Sequence, residues 1–189
     1  KKREEKFKIG VVGCVAQQEG KRMMEKVPFL DLIVGTHLYH SLPDLLEELD
    51  TRGTAENSDW RIQTQFSKDS TPVEIQPVLR KSLFRASVTI MEGCNKNCAF
   101  CIVPFTRGRE RNRPAEIILK EVKQAVDYGY VEIVLLGQTV NSYRDPQYPR
   151  RRFADLLAQV ARIDGVRRLR FTSPHPREFD DQTIAVMAQ

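Results

Sequence analysis

An α/β protein built on parallel sheets is the fold class that this sequence predicts, and three observations predict it. Short β-rich runs alternate with helix-periodic stretches in both halves of the chain. Residues 131–136 form a nearly unbroken apolar run, as a strand buried on both faces requires. The residues with unusual chemistry fall just after the strand-like runs, at the edge where parallel sheets place ligand sites.

Taken in order, FKIGVVG from Phe7 reads as a strand ending in glycine, and 15–26 as a helix despite Gly20. A second apolar run over 30–34 is closed by Gly35, and 41–49, with Pro43 near its start, reads as a helix. Residues 50–77 are polar and lack sustained periodicity, which predicts a linker holding at most one extended segment.

A strand is then expected over 86–91. Pro114 sits at a first helical position, and Ile118, Val122, Ala125 and Val126 repeat on one face until Gly129 stops the helix. Helix 153–163, strand 169–172 and helix 179–188 continue the βα alternation. The pattern stops before it closes, so a partial barrel cut short is expected. The division is 1–50 for part of a first α/β domain, 51–85 for the linker and 86–189 for the first part of a second domain.

The chain has 189 residues, 41% hydrophobic and 29% charged, which suits a globular domain with a packed core. It contains no apolar run near the roughly 18 residues that span a bilayer, and KKREEKFK lacks the apolar stretch of a secretory signal. A soluble, intracellular protein with no membrane partner is expected. The formal net charge of +5 permits an anionic partner without requiring one. Arg107, Arg109, Arg111 and Arg113 alternate along one stretch, which in extended form would offer guanidinium groups to an RNA phosphate or a ligand anion. The alternative is a solvated face.

Three of the four cysteines, Cys94, Cys98 and Cys101, crowd into eight residues directly after a predicted strand. A disulfide scaffold would spread its cysteines out, so metal chemistry in a reducing compartment is the better reading. A loop of this spacing can wrap three thiolates around one corner of a cubane iron–sulfur cluster and leave the fourth iron open. Structural zinc is the rival, but it takes four protein ligands, and His37, His40 and His175 would each arrive from a distance.

The words that carry these residues are long. GCVAQ (13–17), EGCNKNCAFCIVPFTRGRERNRP around the cysteines, LLGQTVNSY (135–143) and FTSPHP (171–176) resemble the radical S-adenosylmethionine methylthiotransferases, in particular those acting on tRNA. The resemblance covers nearly the whole chain. It implies an amino-terminal parallel α/β domain followed by a radical SAM (β/α) partial barrel, with this sequence a fragment lacking both ends.

The resemblance further implies a [4Fe-4S] cluster on Cys94, Cys98 and Cys101 whose open iron takes the amino and carboxylate groups of S-adenosylmethionine. Cys14 matches the last of three cysteines that hold an auxiliary cluster, giving two [4Fe-4S] clusters in the intact enzyme; by itself it would read as a small buried hydrophobe. Phe100, Gln138, Thr139, Asn141 and Ser173 are the candidate cofactor-binding residues, with His175 beside them; loop capping and a rigid turn are the alternatives. Glu92 and Asn95 are expected to shape the cysteine loop.

The implied reaction adds a methylthio group to carbon 2 of N6-isopentenyladenosine beside the tRNA anticodon. The alternatives are threonylcarbamoyladenosine or a ribosomal protein as substrate and, from another class, a zinc-bound RNA-binding module. The implied partners are the tRNA anticodon loop and an electron donor such as flavodoxin or ferredoxin. The protein is expected to be monomeric, in the bacterial cytoplasm or the mitochondrial matrix.

Overall fold

The structure is a computed structural model that describes residues 7–52, 59–66 and 82–189. It divides into two compact units. The first is Lys1–Asp69 with Cys98–Gly108, and the second is Ser70–Asn97 with Arg109–Gln189.

In the first unit, strands β1 (Gly10–Val12), β2 (Leu32–Val34) and β3 (Ile62–Gln63) form one parallel sheet with β2 in the centre. Central placement explains why β2 is apolar at every position. Ile33 packs with Ala16 and Leu30 on one side, whereas Leu32 and Val34 pack with Leu45 on the other. Helices α1 (Cys14–Lys26), α2 (Leu42–Arg52) and the short α3 (Val103–Arg107) complete the unit, with α3 against α1.

Two sequence expectations are refined here. Helix α1 is kinked at Gly20, whose φ of 37° and ψ of −115° are not helical. The stretch read as a linker contains a 3-10 turn, Asp59–Arg61, and β3, which adds to the sheet through register pairs Ile33 with Ile62 and Val34 with Gln63. This is the one extended segment that the sequence allowed there, an edge strand only two residues long.

In the second unit, β4 (Arg85–Thr89), β7 (Glu132–Leu136) and β8 (Arg168–Phe171) form a parallel sheet in that order. Between β4 and β7 the chain makes an antiparallel ribbon of β5 (Met91–Glu92) and β6 (Arg111–Asn112), then helix α4 (Ala115–Asp127). Helices α5 (Phe153–Ala161) and α6 (Asp181–Met187) follow β7 and β8.

One sheet face, Ala86, Val88, Ile133 and Leu135, packs on Ile118, Val122 and Ala125 of α4 and on Leu156 and Val160 of α5. Each large aliphatic side chain buried there contributes roughly 1.5–3 kcal/mol. The spacing 118, 122, 125 is the helix face that the sequence predicted, and Gly129, at φ 87°, ends the run. Asp180 caps α6 by accepting from Thr183 N at 2.7 Å, and hydrogen bonding from the Thr183 side chain, then from its backbone, holds the carboxyl below the usual range. Parallel sheets flanked by helices confirm the α/β class.

Candidate metal and cofactor site at the cysteine loop

The ribbon β5–β6 is the base of the cysteine loop, and Gly93, at φ 74°, turns the chain out of β5 into it. Cys94 is buried in the second unit. Its sulfur lies 3.1 Å from Thr139 Oγ1 and accepts from Lys96 N at 3.4 Å. Gln138 Oε1 accepts from Gly93 N at 2.6 Å. Two adjacent side chains at the carboxyl end of β7 therefore grip the first cysteine and the residue before it. Gly137 permits this approach, since a Cβ there would stand 2.6 Å from Met91 Cγ.

The near side of the loop is held by a polar chain in which Asn95 shapes the loop as expected, while Glu110 and Ser142 are partners that sequence reasoning missed. Asn95 Oδ1 accepts from Glu110 N at 3.1 Å, and Ser142 Oγ donates to Glu110 Oε1 at 2.7 Å. Lys96 pairs with Glu178, and that hydrogen bond raises its pKa against the opposing cost of burial, with the charges of Glu178, Glu110 and Cys94 acting in the same direction as the bond. Glu110, a few residues past Cys101, and the NS pair at 141–142 were the only sequence trace of these two partners, and neither residue type is diagnostic alone.

Cys98 and Cys101 are half-buried in the first unit, and Cys101 N donates to Cys98 O at 3.0 Å, a single turn that leads into α3. Phe100 is 95% exposed. Cys14 opens α1 just after Gly13, whose φ of 118° turns the chain out of β1.

The donor set has the chemistry for an iron–sulfur cluster, because Cys94, Cys98 and Cys101 are all free thiols within eight residues. Among the described residues, no three His, Cys, Asp or Glu side chains stand grouped as a metal would require.

Asn141 is buried, and both ends of its amide are committed: Oδ1 accepts from His175 N at 2.8 Å and Nδ2 donates to His175 O at 2.9 Å. The amide fastens the loop after β8, and each end keeps one further hydrogen-bonding position beyond these two contacts. That loop carries Ser173, exposed and at φ 52°, the one described non-glycine residue in the left-handed region. Such a conformation costs about 1–3 kcal/mol and is typical of loops shaped for a ligand.

The row of arginines is also corrected. Arg107 ends α3, Arg109 is exposed, and only Arg111 and Asn112 are in a strand. Arg111 turns inward to Glu92 at 2.7 Å across the β5–β6 ribbon. Arg113 is 3% exposed, pairs with Glu121 at 2.8 Å and donates to Thr89 O. Its own carbonyl accepts from Tyr143 OH at 2.8 Å. Alternation implies a shared side only along a strand, and here a helix and a two-residue ribbon interrupt it. Arg113 is a structural ion pair.

Residues 88–189 match the radical SAM superfamily, and the chain belongs to it. The cofactors of that superfamily are a [4Fe-4S] cluster and S-adenosylmethionine. The chain is 47% identical over 182 residues to the tRNA-2-methylthio-N(6)-dimethylallyladenosine synthase of Carboxydothermus hydrogenoformans, covering 95% of this chain and 40% of that protein. It is 44% identical over 183 residues to the enzyme of the same name from Clostridium botulinum strain Loch Maree, covering 96% and 39%. It thus spans about two fifths of the length of these relatives. The radical S-adenosylmethionine methyltransferase TsrM of Kitasatospora setae, solved with tryptophan and a SAM analogue, shares the fold: TM-score 0.64, 15% identity, 96% of this chain and 39% of that one. No described helix is long and apolar enough to cross a membrane.

Proposed function

We propose that this chain works within a tRNA methylthiotransferase that adds a methylthio group to carbon 2 of N6-isopentenyladenosine beside the anticodon. What carries the reading is identity of 43–47% along nine tenths or more of the chain to relatives bearing that activity in their names. The cysteine loop and its grip by Gln138 and Thr139 support it.

In this reading residues 1–50, with β3 added to their sheet, belong to the methylthiotransferase domain, the rest of 51–85 links, and 86–189 begin the radical SAM core. Cys94, Cys98 and Cys101 bind the [4Fe-4S] cluster, which supplies the electron for reductive cleavage of S-adenosylmethionine. Thr139 and Gln138 orient Cys94, Asn141 holds the Ser173 loop, and these three with Phe100 and Ser173 are the candidates for cofactor contact. Cys14 is a ligand of a second, auxiliary [4Fe-4S] cluster in the intact enzyme. Arg109, exposed, and Arg107 are the arginines of the row that remain available to the anticodon loop. A flavodoxin or ferredoxin supplies electrons, and the enzyme works as a cytoplasmic monomer.

The test uses the full-length enzyme, reconstituted anaerobically. Cys98→Ala is expected to abolish 5′-deoxyadenosine formation, and Cys14→Ala to spare it while abolishing 2-methylthio product in the tRNA nucleosides. Full 5′-deoxyadenosine production by Cys98→Ala overturns the cluster assignment; normal methylthiolation by Cys14→Ala overturns the auxiliary one. A product mass matching methylthio-threonylcarbamoyladenosine would replace the proposed substrate.

A further inference from the structure

Helix α3 begins two residues after Cys101 and has only five residues, far fewer than the roughly 12–15 that an isolated helix needs to persist in water. Its place depends on what holds it. The last carbonyls of a helix have no partner within it, and here two of them are met by side chains seventy positions earlier in the sequence. Thr36 Oγ1 donates to Thr106 O at 2.6 Å, and His37 Nε2 donates to Arg107 O at 2.9 Å. Thr36, His37 and Thr106 are all buried.

The chain leaves α3 at Gly108, φ 71°, where a Cβ would lie 3.1 Å from His37 Nε2 and 3.4 Å from Phe66 Cδ1. Phe66 in turn meets the His37 ring edge-on, with centroids 4.8 Å apart. The loop that carries Thr36 is itself fixed from α1. Gln17 Oε1 accepts from Thr36 N at 3.2 Å, and its Nε2 donates to Thr64 O. Gly35 leaves room for this arrangement, because a Cβ there would stand 2.0 Å from Gln17 Oε1 and displace that amide. One hydrogen-bonded path thus runs from the helix of Cys14 to the helix that follows Cys101.

We infer that Thr36 and His37 are positioning residues for the cluster loop: by capping α3 they hold the segment that carries Cys98 and Cys101. The inference rests on the cluster role proposed for those two cysteines, but its first measurement does not need the cluster. In iron-free full-length enzyme, iodoacetamide modification of each cysteine is followed by peptide mass spectrometry, with Cys94 as internal reference. In the double variant Thr36→Val, His37→Leu, which removes both donors, modification of Cys98 and Cys101 should rise about tenfold against Cys94 as α3 opens. In reconstituted enzyme the paramagnetic resonance signal of the reduced cluster should lose its change on addition of S-adenosylmethionine. Thr36→Ser with His37→Gln keeps a hydroxyl and an N–H of similar reach and should restore both readouts.

Unchanged alkylation ratios and an unchanged signal in the Val/Leu variant overturn the inference. Should that variant not fold, Gly108→Ala, which crowds His37 from the other side, is expected to give the same signature, and a wild-type signature there overturns it equally. A wild-type enzyme whose iron content is insensitive to Cys98→Ala would instead sink the cluster reading, and the alkylation ratio would still decide whether α3 is held by its caps.

Discussion

Thr139 Oγ1 and Cys94 Sγ lie 3.1 Å apart, both buried, so the sulfur of the first loop cysteine has a hydroxyl partner on the segment after β7. Hydrogen bonds to cluster sulfurs stabilise the reduced, more negative state. Thr139→Val in the full-length enzyme should therefore move the cluster midpoint roughly 40 mV more negative, about 1 kcal/mol for one electron. A redox titration followed by paramagnetic resonance checks this, and Thr139→Ser should sit at the wild-type value.

Arg113 joins β4, α4 and Tyr143 from a buried position. Arg113→Met leaves the Glu121 carboxylate without that cation and frees the carbonyl of Thr89, for an expected loss of about 3 kcal/mol in unfolding free energy. Arg113→Lys should recover little, because one ammonium cannot replace the planar fork. Urea unfolding measures both. The salt dependence of tRNA binding should stay unchanged for any folded variant at this position, whereas Arg109→Ala should lower its slope by about one.

Glu132, buried at the start of β7, faces Arg85 at 2.7 Å, Arg168 at 3.5 Å and Arg170 at 3.6 Å. Burial alone would raise its pKa, but the hydrogen bond and charge of Arg85, then Arg170 and Arg168, bring it below the ordinary carboxylate value. A lowered folded-state pKa means stability that is fully present above the ordinary carboxylate range and is lost as pH falls through the lowered value. Glu132→Gln should therefore flatten the acid limb of stability between about pH 5 and pH 3. Urea midpoints across that range would show it, and an acid limb as steep as in the wild type would contradict it.

Asn141 binds both backbone groups of His175. Asn141→Asp keeps the acceptor but loses the donor, and Asn141→Leu loses both, so amide exchange at His175 should accelerate in the order wild type, Asp, Leu. S-adenosylmethionine affinity should weaken in the same order if the Ser173 loop contacts the cofactor. Hydrogen exchange and equilibrium binding measure the two effects separately.

The α/β class and nearly every helix and main strand were legible because each rests on a repeat of several residues: 118, 122 and 125 in α4, or the apolar run of β7. What the sequence hid is shorter than its own period. Strands β5 and β6 have two residues each, so no alternation can announce them, and without them Arg111 looked like one of a row. The cysteine spacing was legible as chemistry. Of its supports, Asn95 was legible, and Gln138 and Thr139 stood out with loop capping as one reading; Thr36, His37 and Glu110 did not, because they act across long sequence distances, and a single hydroxyl, imidazole or carboxylate gives no local pattern.

The polypeptide leaves the second unit after Asn97, runs through the first as Cys98–Gly108, and re-enters the second at Arg109. Trimming the protein from its amino terminus is therefore not equivalent to removing a domain. A shortened form starting near Ser82 would keep all three clustered cysteines in its sequence, yet it would carry α3 without Thr36 and His37 to receive it. Two of the three thiols would then hang on an unsupported excursion of the backbone, so a recombinant barrel lacking the first sheet should take up iron poorly even though every residue of the motif is intact.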